Sequence, residues 1–335
     1  MASLQAPAFG YAYSRPTISF ELMPPRNPDA APNFWETARR LVAFAPDFIS
    51  VTYGAAGTDR DTSQEVVRRI TAQTSILPIA HLTCVGASRD SVADTIGQFL
   101  ASGARTFLAL RGDPPAGQQN WTPPVDGVHS SKELIALVRE VESKRCRSSA
   151  SSALRSAAKP LTIAVATFLD GNPAAGTTRE QEIERLYEKQ VAGANFAITQ
   201  VFYRAQSYIE FVAQARAAGV TLPILAGIIP TSDPARLRRV GELTGVQPPA
   251  ELLTALDALE TPENRIKVGL AYAIDLANEV LRAGAPGLHI YTFNQFAPAL
   301  DLLEGLNLGP HDPVHIEPNQ SLTSPSIAAE LTPSL

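Results

Sequence analysis

Short runs of consecutive apolar residues recur along the chain, and between them apolar positions return every third or fourth residue. The runs are TISFEL, DFISVTY, LPIAHLTC, TFLALRG, LTIAVATF, FAITQVFY, ILAGIIP and LHIYTF. Continuous rather than alternating, they read as strands covered on both faces. Val92, Ile96 and Leu100 mark one helical face; Ile183, Leu186, Tyr187 and Val191 mark another, opened by a capping box at Thr178 and Gln181. Gly103, Gly193, Gly219 and Gly284 each fall just past a helical pattern and before a strand, where a left-handed conformation ends the helix. These strand–helix units predict an α/β protein with a single-domain (β/α)8 TIM barrel. A doubly wound open sheet is the alternative. No GxGxxG follows any strand, since GAAG at 54–57 and GAPG at 284–287 have the wrong spacing, and this weakens it.

The barrel is expected over residues 16–309, after an N-terminal arm at 1–15. Two segments lack the pattern. Residues 143–158, SKRCRSSASSALRSAA, are polar, small and basic and read as a flexible insertion; residues 310–335 have no period and read as a disordered tail.

Composition narrows the function. The 335 residues are 45% apolar, enough for a large core, and 33 acidic against 28 basic residues give a net charge of -5, which argues against nucleic-acid binding. The absence of a long apolar span or of a secretory start predicts a cytoplasmic protein without membrane contact. Two cysteines and five histidines, with no HExxH or similar spacing, predict neither a disulfide framework nor a metal site. Oligomeric state is not fixed by any of these features.

In such a barrel the chemistry belongs at the C-terminal ends of the strands. Those ends deliver Glu21, then Thr52 and Tyr53, His81, Arg111 with Gly112 and Asp113, Asp170, Gln200, and Tyr291 with Thr292 and Asn294. Most have ordinary explanations: His81 as a core histidine, Arg111 and Asp113 as a local ion pair. Glu21 stands apart. It lies between Phe20 and Leu22, with no cation before Arg26, and apolar surroundings would favour the neutral acid, the form that suits a proton donor.

SFELMPPR, FISVTYGA, AHLTC, LALRGD, AGANFAITQVFY, GIIP and HIYTFN occur in this order and together resemble the 5,10-methylenetetrahydrofolate reductases of the bacterial type. The resemblance implies a (β/α)8 barrel that reduces 5,10-methylenetetrahydrofolate to 5-methyltetrahydrofolate. In that family hydride passes from NADH or NADPH to bound FAD and then to the folate. Glu21 matches the proton donor, and Asp113 the carboxylate that contacts the pterin and stabilises positive charge. Gln200 matches a residue shared by nicotinamide and folate, Thr52 an NADH contact, and Tyr291 falls on the substrate side. Tyr53, His81, Arg111, Gly112, Asp113 and Lys189 match flavin contacts.

The departures are concentrated on the flavin side. Phe168 and Asn172 stand where the family has a tyrosine and a histidine; Arg185 and Glu188 replace an asparagine and an arginine. On the folate side Val240 replaces a stacking aromatic, and Gln295 an arginine. The expectation is weak or absent flavin, with NADH or NADPH passing hydride straight to the folate. Conventional FAD-dependent reduction, a non-catalytic folate-binding barrel and a flavin barrel of the proline dehydrogenase kind are the competing readings.

Overall fold

The computed structural model describes residues 15–53, 60–112 and 124–309. The chain opens with β1 (Thr17–Leu22), α1 (Ala31–Ala43), β2 (Phe48–Val51), α2 (Arg60–Gln73), β3 (Leu77–Thr83), α3 (Arg89–Ala101) and β4 (Thr106–Leu110). It continues through α4 (Ser131–Ser148), α5 (Ala150–Ala158), β5 (Thr162–Thr167), α6 (Arg179–Val191), β6 (Phe196–Thr199) and α7 (Ala205–Ala217). It closes with β7 (Ile224–Ile228), α8 (Pro234–Thr244), α9 (Ala250–Asp257), α10 (Pro262–Arg282), β8 (Gly287–Tyr291) and α11 (Phe296–Gly305). The strands form a closed barrel in chain order, every neighbouring pair parallel, and β8 returns to β1. This is the (β/α)8 barrel that the apolar runs predict.

Strand alternation sorts the side chains into two cores. Ile18, Phe20 and Leu22 of β1 point outward into a core shared with the helices, where Leu41, Phe99 and Leu302 also lie. A second cluster inside the barrel joins Phe48, Ile79, Leu108, Ala164, Phe196, Ile198 and Leu225, with Phe48 and Phe196 stacked at 5.8 Å. Further along the same inward-facing rows the residues turn polar: Ser19 and Glu21 on β1, Ser50 on β2, His81 on β3, His289 and Tyr291 on β8. The apolar floor therefore carries a polar layer above it.

The helix ends follow their sequence signals. Thr178 and Gln181 form the reciprocal capping box of α6, and Gly103, Gly193, Gly219 and Gly284 have φ of 94°, 106°, 89° and 91°. The flexible insertion expected at 143–158 is instead helical. It forms the end of α4 and all of α5, which starts where Ser149 accepts the Ser152 N–H. Although α5 buries none of its residues, alanine-rich composition favours helix, and Arg105 ties the segment down. That guanidinium bonds Glu142, Ser156 and the Lys159 carbonyl. The arm before residue 15 and the tail from 310 lie outside the described residues.

Candidate active site

Glu21 is the penultimate residue of β1, its side chain 18% exposed and reachable from the barrel mouth. Its flanking Phe20 and Leu22 face the helices, so the apolar surroundings inferred from the sequence are not what the carboxyl meets. A strand's neighbours in sequence lie on its opposite face; its neighbours in space come from adjoining strands. Here these are two imidazoles: His81 Nε2 lies 3.8 Å and His289 Nε2 3.9 Å from Glu21 Oε2.

Each imidazole is held by a serine from the strand beside it. His81 Nε2 is 2.5 Å from Ser50 Oγ, and His289 Nδ1 is 2.8 Å from Ser19 Oγ. Burial pushes His81 down to about 4, against the pull of Glu21, so it is uncharged near neutrality. Tyr291, opposite Glu21 in the β1–β8 register, donates to the Thr199 carbonyl at 2.8 Å and sets its ring edge-on to His289. Burial, with the Glu21 charge, raises its hydroxyl well above the ordinary phenol range.

The loop after β8 clamps the end of β1. Asn294 accepts the Met23 N–H at 2.9 Å and donates to the Met23 carbonyl at 2.6 Å, while Thr292 Oγ1 donates to the Glu21 carbonyl at 2.5 Å. Phe293 and Asn294 both adopt left-handed backbone, with φ of 48° and 57°. Two such residues in succession cost energy, and the paired bonds to Met23 hold them there.

A cavity of about 500 Å³ opens along the ends of β4, β5 and β6, with Arg111, Lys132, Phe168, Lys189 and Gln200 among its lining residues. Gln200 Oε1 accepts the Val201 N–H at 2.7 Å, leaving its amide NH2 for a ligand. Arg111 is exposed at the rim; Gly112 beside it has φ of 85°, and a Cβ there would come within 2.8 Å of Val85. Lys189 donates to the Ala166 carbonyl at 2.8 Å, and burial lowers its ammonium to about 8. Glu188 pairs with Lys132 at 3.7 Å, and Arg185 with the buried Glu182 at 3.0 Å. Asn172 caps a short 3-10 turn, its side-chain oxygen accepting the Ala174 and Ala175 N–H groups.

Thr52 and Tyr53 follow β2. Thr52 donates its backbone N–H to the Leu22 carbonyl beside the Glu21 strand end, while Tyr53 is buried, tilted against Phe99. Asp113 lies outside the described residues. Val240 is buried in a side core with Leu237, Leu252 and Leu256 under α8 and α9. The structure thus joins Glu21, His81 and Tyr291 at one mouth and sets Arg111, Gly112, Lys189 and Gln200 around the adjoining cavity. Sequence reasoning missed His289 and the two serines. His289 stands two residues before Tyr291, and Ser19 two before Glu21, the spacing that puts each pair on one strand face.

Comparison with known proteins agrees with this architecture. The family model for methylenetetrahydrofolate reductase matches residues 10–307. A 5,10-methylenetetrahydrofolate reductase of Pectobacterium carotovorum is 32% identical over 282 residues, covering 84% of this chain and 87% of that protein. A probable methylenetetrahydrofolate reductase (NADH) of Oryza sativa is 29% identical over 89% of this chain, which spans about half (49%) of that longer protein. Among solved structures, a Clostridium thermocellum protein described as binding two copies of 5-methyl-5,6,7,8-tetrahydrofolic acid superposes with a TM-score of 0.59 at 14% identity, covering 88% of this chain and 93% of that one. With a family match across nearly the whole barrel, the chain belongs to the methylenetetrahydrofolate reductase family.

Proposed function

We propose that the protein reduces 5,10-methylenetetrahydrofolate to 5-methyltetrahydrofolate with NADH or NADPH, hydride passing from nicotinamide to folate without a tightly held flavin. The observation that carries this reading is Glu21, an accessible carboxyl at the barrel mouth with His81 and His289 behind it. A methylene bridge between two nitrogens accepts hydride poorly. Protonation of one nitrogen breaks its bond to the bridge and leaves an iminium, and hydride addition to that carbon then yields the methyl group. Glu21 supplies the proton, NADH supplies the hydride and leaves as NAD+, and solvent returns a proton to Glu21. Uncharged His81 forms a polar wall without adding a fixed positive charge beside the donor. Asp113, one residue past Gly112, is assigned to the pterin, where a carboxylate stabilises the developing cation.

The flavin side supports the second half of the proposal. Phe168 has no hydroxyl, the Asn172 side-chain oxygen is taken by its own turn, and one of the three Lys189 N–H groups is given to the Ala166 carbonyl. Glu188 adds negative charge at the cavity wall and occupies Lys132. Among the described residues this donor set offers few unshared cations for a resident flavin diphosphate, which favours several such cations or N–H groups. A dinucleotide that arrives and leaves in each turnover needs less, and Arg111, Thr52 and the Gln200 amide are its expected contacts.

The test is anaerobic NADH oxidation by purified protein that shows no flavin absorbance, with and without methylenetetrahydrofolate. Folate-dependent oxidation without added flavin is expected. Activity that appears only on adding FAD, or a protein that purifies yellow with stoichiometric flavin, supports the conventional enzyme instead. Folate binding with no oxidation under either condition supports a non-catalytic barrel.

A further inference from the structure

Behind Glu21 a chain of polar groups joins β1 to β8, and the proposed reaction gives it no part. His289 is buried, and its two ring nitrogens face different partners. Nδ1 lies 2.8 Å from Ser19 Oγ, and Nε2 lies 3.9 Å from Glu21 Oε2. Ser19 and Glu21 are two residues apart on β1, and Ser19 is opposite His289 in the register, so all three face the barrel interior together.

The Ser19 hydroxyl fixes which nitrogen carries hydrogen. It has one proton, and that proton reaches the Leu288 carbonyl at 3.3 Å. A carbonyl only accepts, so both contacts of Ser19 are met when it donates there and accepts from the imidazole Nδ1–H. The uncharged ring then has no hydrogen on Nε2, whose lone pair faces the Glu21 carboxyl. A carboxylate and a bare nitrogen repel, whereas one proton between them makes a hydrogen bond once the side chains close by about 1 Å. The other groups at this spot hold no charge near neutrality. His81 faces the same oxygen at 3.8 Å, but burial pushes it down to about 4. Tyr291, edge-on to the His289 ring, gives its hydroxyl to the Thr199 carbonyl and is held well above the ordinary phenol range. β7 presents Gly227 to His289, and β2 presents Ser50 to His81.

We propose that Glu21 and His289 share a single proton between Oε2 and Nε2, and that His289 is the positioning residue that keeps the acid loaded. The inference rests on Glu21 as the proton donor. When Glu21 protonates the folate nitrogen, the pair is left one proton short, a carboxylate facing a bare imidazole nitrogen. Solvent at the mouth, which reaches Glu21 but not the buried His289, restores that proton. Two groups coupled in this way titrate as a pair, and the pair keeps its proton to a higher pH than a lone carboxyl does.

Nitrogen-15 NMR of histidine-labelled protein reads the pair without turnover, the His289 signals being those absent from His289→Asn. Nδ1 is expected to stay protonated throughout while Nε2 titrates. Glu21→Gln is expected to lower that midpoint by about one pH unit or more, because it removes the negative partner. An Nδ1 without hydrogen at neutral pH, or a midpoint that Glu21→Gln leaves in place, overturns the inference. In turnover, His289→Asn keeps a side-chain N–H for Ser19 and lacks the nitrogen that faces Glu21. The basic limb of its kcat profile is expected to move down by about one pH unit, with activity recovering toward wild type on the acid side. A loss of equal size at every pH marks a purely structural role and overturns the inference. The expected titration in a protein that oxidises no NADH sinks the proposed reaction and leaves the shared proton standing.

Discussion

Glu21 lies beside two imidazoles, and its chemistry follows from what each can do. As a proton donor it is replaceable in shape by glutamine but not in function. Glu21→Gln is expected to reduce turnover by about 10²–10⁴-fold, the usual range for a lost general acid, and to leave folate affinity nearly unchanged. Unchanged turnover would remove Glu21 from the mechanism. His81 makes a second prediction. Its folded value of about 4 lies below the ordinary 6.5, so between those values the unfolded chain binds more protons than the folded one. The contribution of His81 to stability is therefore full above pH 6.5 and falls away as pH drops toward 4, by roughly 3 kcal/mol in all. In urea unfolding across that window, His81→Asn should lose less stability on acidification than wild type does. Parallel slopes would show that His81 is not the titrating group.

The elements bring these residues together through contacts that allow little movement. Gly227 of β7 lies so close to its neighbours that an added Cβ would sit 2.4 Å from the Thr199 carbonyl oxygen and 2.7 Å from the Tyr291 ring. The carbonyl is barrel backbone and cannot swing aside. Gly227→Ala is expected to cost about 1–3 kcal/mol in unfolding free energy and to lower kcat by displacing Tyr291 from the mouth. A variant with normal stability and normal kcat would show that β6, β7 and β8 yield more than their packing indicates. At this scale much was legible in the sequence, because buried parallel strands are short apolar runs and glycines end the helices between them. The exception at 143–158 is instructive. Serines and basic residues there resemble a loop in composition, while the tethers that order it, from Arg105 to Glu142, Ser156 and Lys159, come from another part of the chain.

In the whole molecule, the mouth of the barrel has two sides around one acid. Toward β4–β6 lies the cavity with Arg111, Lys189 and Gln200; toward β8 lie His289 and Tyr291. Strand order made the end that carries chemistry legible, since Glu21, His81, Gln200 and Tyr291 all lie within two residues of a strand's C-terminal end. It did not reveal which groups would touch. Phe20 and Leu22 suggested an apolar pocket, yet period-two alternation turns them away and brings in His81 and His289, residues 60 and 268 positions further along the chain. The central claim is direct passage of hydride, and isotopic labelling tests it. With NADH carrying deuterium at both C4 positions, in ordinary water and without added flavin, the 5-methyltetrahydrofolate formed is predicted to carry a single deuterium in its methyl group. A methyl group without deuterium, its third hydrogen drawn from solvent, would mean that the hydride passed through an exchangeable carrier, and would contradict the account.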